Sequence, residues 1–254
     1  MQYGERNWTE IPDLTRLVVV VPLGSLEQHG HHLPLLTDSM IGDEIVRRAE
    51  DTLGDEAVFL PMLWPGASDH HRRFPGTVSL SNDTYARVLV DILESLIGSG
   101  FRRILMLNAH GGNVGPGQAA LYEVQMRYRD EHDLWLAFAT WFTVAAPQIA
   151  ALDMLEQKRI SHASELETSM ILALRPELVR MDAARGANTP APSDVRSASR
   201  VTVVRAFERL SVTGALGHPE RATVEKGQAL FDVAVNEVVS CVREVAAWEP
   251  LAPG

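Results

Sequence analysis

Seven of the nine histidines fall in four short segments, each with nearby carboxylates or glycines. The first segment runs from Gly24 to Asp38 and reads Gly-Ser-Leu-Glu-Gln-His-Gly-His-His-Leu-Pro-Leu-Leu-Thr-Asp. Glu27 and His29 are two residues apart, so in extended chain their side chains point the same way. Asp38 stands where the following helix begins, and the loop can fold back onto it. A carboxylate, an imidazole and a second carboxylate make a donor set suited to Zn, Mn or Fe. The plainer reading of the same residues is a polar loop with a capping Asp.

The second segment is Asn108-Ala-His-Gly-Gly-Asn113. Its glycines allow tight backbone approach, and they set His110 just before a helix N-terminus whose free N–H groups favour an anion. It lacks the G-x-G-x-x-G spacing of a dinucleotide site, and a simple turn with Asn113 as cap explains it equally well. The third segment runs from Ser161 to Ser169. If the helix there starts at His162, then His162 and Glu165 share a face, while Glu167 lies about 200° round from Glu165. That geometry predicts Glu165 as a ligand, His162 as a proton carrier, and Glu167 as an outer residue orienting a ligand. The alternative is a Ser-capped helix with acidic first-turn residues. The fourth segment, Ser68 to Thr77, holds His70 and His71. Adjacent residues of an extended loop face opposite ways, so at most one of the two is expected to reach a site. Trp141 is either a pocket wall or part of the core.

These segments need strands and helices to hold them. Leu17–Val21, Ala57–Leu60, Ile104–Leu107 and Leu134–Ala139 are short apolar runs without alternation, the pattern of strands buried on both faces. Helical patterns lie between them: Thr37 to about Thr52, a Ser81-capped stretch ended by Gly98 and Gly100, Asn113 to about Arg129, His162–Leu174, and Pro219–Val245. Strands alternating with helices of this length predict an α/β fold whose mostly parallel sheet is covered on both faces. In such a sheet the loops at the carboxyl ends of the strands form the ligand crevice. Each histidine segment follows a strand or opens a helix, so all four are expected on one rim. No repeat or linker divides residues 1–254, and Ala183–Ser199, rich in Ala, Ser, Pro and Arg, reads as a loop or arm within a single domain.

Composition narrows the function. The chain has 254 residues, 46% hydrophobic and 22% charged, with a formal net charge of −10. That acidic balance argues against a nucleic-acid partner, which calls for a basic face. The single cysteine, Cys241, excludes a disulfide framework and a Cys-rich metal site. No apolar run approaches the roughly 18 residues of a membrane span, and the first ten residues lack a signal-peptide core. The expectation is a cytoplasmic protein with no membrane partner.

Taken together, the motifs resemble those of the creatininase (creatinine amidohydrolase-like) family. Gly24–Gly30, His32–Leu35 and Thr37-Asp38 are similar to its signature. Phe74-Pro-Gly-Thr77, Asn108–Asn113 and His162 with Glu165–Ser169 follow in the family's order, and Gly214–Pro219, Ala222-Thr223 and Glu225-Lys226-Gly227 resemble its C-terminal signature. The resemblance implies a three-layer α/β/α sandwich and a centre of two divalent ions (Zn, Mn or Fe) that activates water against an amide or cyclic amide. It implies that Glu27 and His110 hold one metal and His29 the other, with Asp38 bridging. The last ligand of creatininase, a Glu two residues after the His matching His110, is replaced here by Gly112; in many relatives a Glu stands where Glu165 does. His162 would serve proton transfer and Ser68 would touch substrate.

Two departures bear on substrate. Gly111 replaces a Tyr of creatininase, and Lys158-Arg159-Ile160 replaces a Trp-Asp pair before the His matching His162. With those pocket residues gone, a small-molecule amide other than creatinine is the expected substrate. A peptidase trimming a precursor peptide, a deformylase of a nucleotide-derived precursor, and a non-catalytic metal-binding protein are the alternatives. The family resemblance also implies a homo-oligomer, a hexamer in many members, with the 183–199 arm as a candidate interface.

Overall fold

The computed structural model describes residues 1–157, 160–185 and 204–251. Four strands form one parallel sheet: β1 Val18–Leu23, β2 Ala57–Phe59, β3 Arg103–Asn108 and β4 Trp135–Thr140, in the order β2-β1-β3-β4. Register is set by Val19 opposite Val58 and Ile104, and by Ile104 opposite Leu136. All six residues of β1 are buried, as its unbroken apolar run requires.

The helices are α1 Ile11–Leu14, α2 Thr37–Leu53, α3 Asn82–Gly98, α4 Val114–Arg127, α5 Trp141–Val144, α6 Ala146–Ala151, α7 Glu165–Leu174, α8 Met181–Ala184 and α9 Val224–Ala247. Side chains alternate across a strand, and this splits the core in two. Val18, Val20, Leu105 and Leu107 face Ile41 and Ile45 of α2, Leu166 and Met170 of α7, and Leu230 and Phe231 of α9. Val19, Val21, Ile104 and Met106 face Leu89 and Leu93 of α3 and Ala120 and Val124 of α4. The result is the expected α/β/α sandwich. On the first side α9 approaches α7 closely enough that a Cβ at Gly227 would lie 1.9 Å from the Ser169 carbonyl oxygen.

Two helix starts differ from the sequence expectation. The last helix begins at Val224, because Pro219–Arg221 forms a separate 3-10 turn and the Thr223 side chain caps the helix by accepting from the Lys226 N–H. Helix α7 begins at Glu165, three residues later than expected, with Ser164 as its extended N-cap residue. That shift changes the site, as described below. Residues 186–199 of the Ala-, Ser-, Pro- and Arg-rich stretch, and Lys158 and Arg159, lie outside the described residues. Among the described residues no helix is long and apolar enough to cross a membrane.

The strand order fixes where a site can form. From β1 the chain turns to β2 on one side, while β3 and β4 lie on the other. Loops leaving β1 and β3 therefore diverge at their carboxyl ends and leave a crevice between them.

Candidate metal and catalytic site

The crevice is built from all four strand-end loops. The loop after β1 carries Glu27, Gln28 and His29, and returns through Asp38 in the first turn of α2. The loop after β2 carries His70 and His71; the turn after β3 carries His110, and Trp141 follows β4. Two asparagines tie these loops together. Asn113 donates to the Gly24 carbonyl (2.9 Å) and to Asn108 Oδ1 (3.1 Å), and accepts from the Ala67 N–H (2.9 Å). Asn108 in turn accepts from the His110 N–H and donates to the His110 carbonyl and the Thr140 hydroxyl. Asn113 is thus a clamp between three loops, and its side chain makes no helix cap.

Asp38 is the centre of the cluster. Its Oδ1 lies 3.1 Å from His29 Nε2 and its Oδ2 lies 2.9 Å from His110 Nδ1. The Ser25 hydroxyl donates to Oδ2 at 2.7 Å and fixes the carboxylate plane. Glu27 lies beside it, with Oε2 3.3 Å from His110 Nε2 and Oε1 3.3 Å from His71 Nε2. Both Glu27 carboxylate oxygens are buried without a hydrogen-bond partner. A buried carboxylate left this way costs free energy unless a cation accepts its lone pairs. Glu27, His29 and Asp38 present donor atoms all within 4.8 Å of one another, as do His29, His162 and Glu167, and Glu27, His70 and His110. These donors fit a divalent metal.

Glu165 does not reach this cluster. Its carboxylate accepts from the N–H groups of Glu156 and Gln157, at 3.2 and 2.7 Å, and from Lys226 Nζ at 2.6 Å. Burial works against its charge, but Lys226 and the two N–H groups hold the carboxyl below its ordinary range. Glu167 reaches the cluster instead: its Oε2 lies 4.0 Å from His29 Nε2 and accepts from the Ala163 N–H. The reason is the late start of α7. Ala163 sits at φ +48, so the chain reverses between His162 and the helix. His162 and Glu165 therefore do not share one helix face, and Glu167, at the third helical position, turns inward.

His162 is where the sequence placed it, on the rim. Its Nε2 is 2.8 Å from the Gln28 carbonyl, and its Nδ1 is 3.6 Å from Glu27 Oε1. Trp141 and Gly111 line the basin. Ser68 is fully buried, with its hydroxyl 3.2 Å from His110 Nε2, and it does not line the basin. Gly112 has no room for a side chain: a Cβ would meet the Ala67 carbonyl oxygen at 2.1 Å and His110 Nε2 at 2.5 Å.

Several site residues escaped sequence reasoning. His70 and His71 both line the basin, because Asp69–His71 is a 3-10 turn and not an extended segment. Successive residues of that helix diverge by only about 120°. Gln28 joins three segments: its amide nitrogen lies 2.8 Å from His71 Nδ1, 3.0 Å from His162 Nε2 and 3.0 Å from the Gly214 carbonyl, and its oxygen accepts from the Gly30 N–H. Phe207 roofs the basin, with its ring centroid 4.2 Å from His71 and 4.7 Å from His162. No local pattern marks Phe207, which opens the short 3-10 turn Phe207–Arg209.

The charges agree with a cation site. Burial raises Glu27 to about 7, with Asp38 adding to the rise against the pull of His110 and His29. Burial likewise raises Glu167 to about 7. Burial opposes charge on His29 and His110, yet the facing carboxylates bring them up to about 10 and about 9. Asp38 is held well below its ordinary range despite burial, chiefly by His29 and His110. Metal donors must be unprotonated, so a cation has to displace protons from these groups. Affinity should therefore fall as pH drops from about 8 to about 6, by at least about tenfold per unit, because His29 and His110 hold protons throughout that range that a metal must displace, and near pH 7 Glu27 and Glu167 begin to add theirs. Calorimetry of Mn or Zn binding in buffers of different ionisation enthalpy should show net proton release; a proton-neutral uptake would contradict this.

The profile of the creatininase family, described as creatinine amidohydrolase, matches residues 4–242. A mycofactocin precursor peptide peptidase of Mycobacterium tuberculosis is 34% identical, over 100% of this chain and 94% of the relative. The creatinine amidohydrolase of Pseudomonas putida is 29% identical, over 95% of each. A crystal structure of creatinine amidohydrolase (creatininase) superposes with a TM-score of 0.78 at 27% identity, covering 98% of both chains. Creatininase has also been solved with Mn, and a mutant of it in a Zn-Zn form.

Proposed function

The chain belongs to the creatininase family, and from that membership we propose that it is a two-metal peptidase cleaving an amide bond of a short precursor peptide. It is a metal-dependent hydrolase of carbon–nitrogen bonds. The observation that carries the metal reading is the pair of buried Glu27 oxygens, facing the imidazoles of His110 and His71 without a hydrogen bond. Glu27 and His110 would hold one ion, His29 and Glu167 the other, and Asp38 offers one oxygen to each side. The manganese and zinc forms of creatininase support those metals here. A divalent cation supplies a Lewis acid for the amide carbonyl and lowers the pKa of water.

The remaining chemistry belongs to the chain. His162 Nε2 lies 2.8 Å from the Gln28 carbonyl, which only accepts, and 3.0 Å from the Gln28 amide nitrogen, whose two protons can go to His71 Nδ1 and the Gly214 carbonyl; the proton of the neutral ring is therefore assigned to Nε2, toward the carbonyl. That leaves the Nδ1 lone pair directed to the basin. Burial, aided by His29, holds the His162 pKa well below its ordinary value and keeps the ring neutral. Nδ1 is then the base that takes a proton from the attacking water and returns it to the leaving nitrogen. Asn108 and Asn113 keep the loops from shifting, and an error of 1 Å in such a site can cost about 10²-fold in rate.

The peptide reading rests on the 34% identity to a precursor peptide peptidase across the whole chain. It replaces the small-molecule amide as the favoured substrate. The absence of an aromatic side chain at Gly111, in the basin wall, also speaks against a small planar ring as substrate. Chelator-treated protein reloaded with Mn or Zn should hydrolyse members of a blocked-peptide panel at least about 100-fold more efficiently than creatinine. Creatinine turnover equal to that of the best peptide would refute this.

A further inference from the structure

The basin has about 220 Å³ of space, room for an amide and its nearest substituents. Beside it lies a second, larger cavity of about 480 Å³, walled by Phe142, Ala146, Ile149, Leu155 and Ile160. Phe142 and Ile160 line both spaces. A chain whose amide lies in the basin therefore has its next side chain at the mouth of an apolar chamber. The chamber falls in the size range of ligand pockets, which are mostly apolar with a few polar groups at the edge; here Thr143, Asp153 and Gln157 supply those.

We propose that this chamber is the specificity subsite for a bulky apolar side chain, of the Leu, Phe or Tyr class, next to the scissile amide. The inference rests on the peptidase reading above and names the substrate class. Its walls come from rigid parts: α5 and α6 supply Phe142, Ala146 and Ile149, and Ile149 is itself core. The far wall, Leu155 to Gln157, has no regular structure of its own. It is held by Glu165, whose carboxylate accepts the N–H groups of Glu156 and Gln157 while Lys226 balances the charge. Glu165 is thus a positioning residue of the subsite, and this accounts for a buried ion pair that the metal cluster does not use. Full burial of a Leu or Phe side chain corresponds to about one to two orders of magnitude in affinity.

The test is a binding measurement, independent of turnover. Calorimetry on the metal-loaded full chain compares N-acetyl-phenylalanine amide with N-acetyl-alanine amide. The phenylalanine probe should bind about 10- to 100-fold more tightly. Ala146→Phe and Ala150→Trp, each filling the chamber from a different position, should remove that preference. Metal content and melting temperature report that each variant is folded, and Ala150 is exposed. Equal or undetectable binding of both probes by the unmodified chain, or a preference that survives both fillings, overturns the proposal; a chamber already filled by another segment or by a second copy gives that result. Loss of peptide hydrolysis with the binding preference intact would sink the peptidase reading alone.

Discussion

Glu167→Gln is expected to strip a metal ion and most activity, whereas Glu165→Gln keeps the metal. The Glu167 carboxylate faces His29 and Asp38, and an amide there lacks the charge that offsets a divalent cation. Even outer residues around a metal cost about 10- to 100-fold when lost, so a ligand should cost at least about 100-fold in affinity. Glu165→Gln leaves Lys226 without its charged partner and loosens the Glu156 and Gln157 N–H groups. It should lower stability by about 1.5–3 kcal/mol, the range for hydrogen bonds to charged groups. Elemental analysis after gel filtration and thermal melts of both variants decide the matter. Equal metal loss in the two would show that α7 does not select between them.

His162→Gln should separate binding from chemistry. The glutamine can still donate to the Gln28 carbonyl, but it offers no titratable nitrogen to the basin. A lost general acid–base group typically costs about 10²–10⁴ in rate. Metal content should stay near that of the unmodified chain, and KM should change far less than kcat. If His162 instead serves as a ligand, as its nearness to His29 and Glu167 would allow, the variant loses metal in step with activity. The ratio of metal content to kcat is the readout.

The elements were legible because their signals are local. Val18–Val21 and Ile104–Leu107 are apolar without alternation, and only a strand covered on both faces suits that pattern. The convergence of Glu27, His29, Asp38 and His110 followed from placing them at strand ends, and the structure brings these four together. Glu165 failed for a local reason too. Reading the helix from His162 ignored Ser164 and Glu167, which stand in Ser-x-x-Glu spacing, the mark of a helix start with an inward-reaching third residue. The structure forms neither bond of that box: Glu167 reaches one residue further back, to the Ala163 N–H, and the Ser164 hydroxyl has no partner. Phe207 was not legible at all. It packs on His70, His71 and His162 from more than forty residues away in sequence, a tertiary contact with no periodicity to announce it.

Anomalous diffraction from crystals of the full chain loaded with Mn or Zn tests the central claim most directly. Two peaks are expected, one against Glu27 and His110 and one against His29 and Glu167, with Asp38 touching both. A peak at Glu165, or no peak at Asp38 in metal-loaded, active protein, would contradict it.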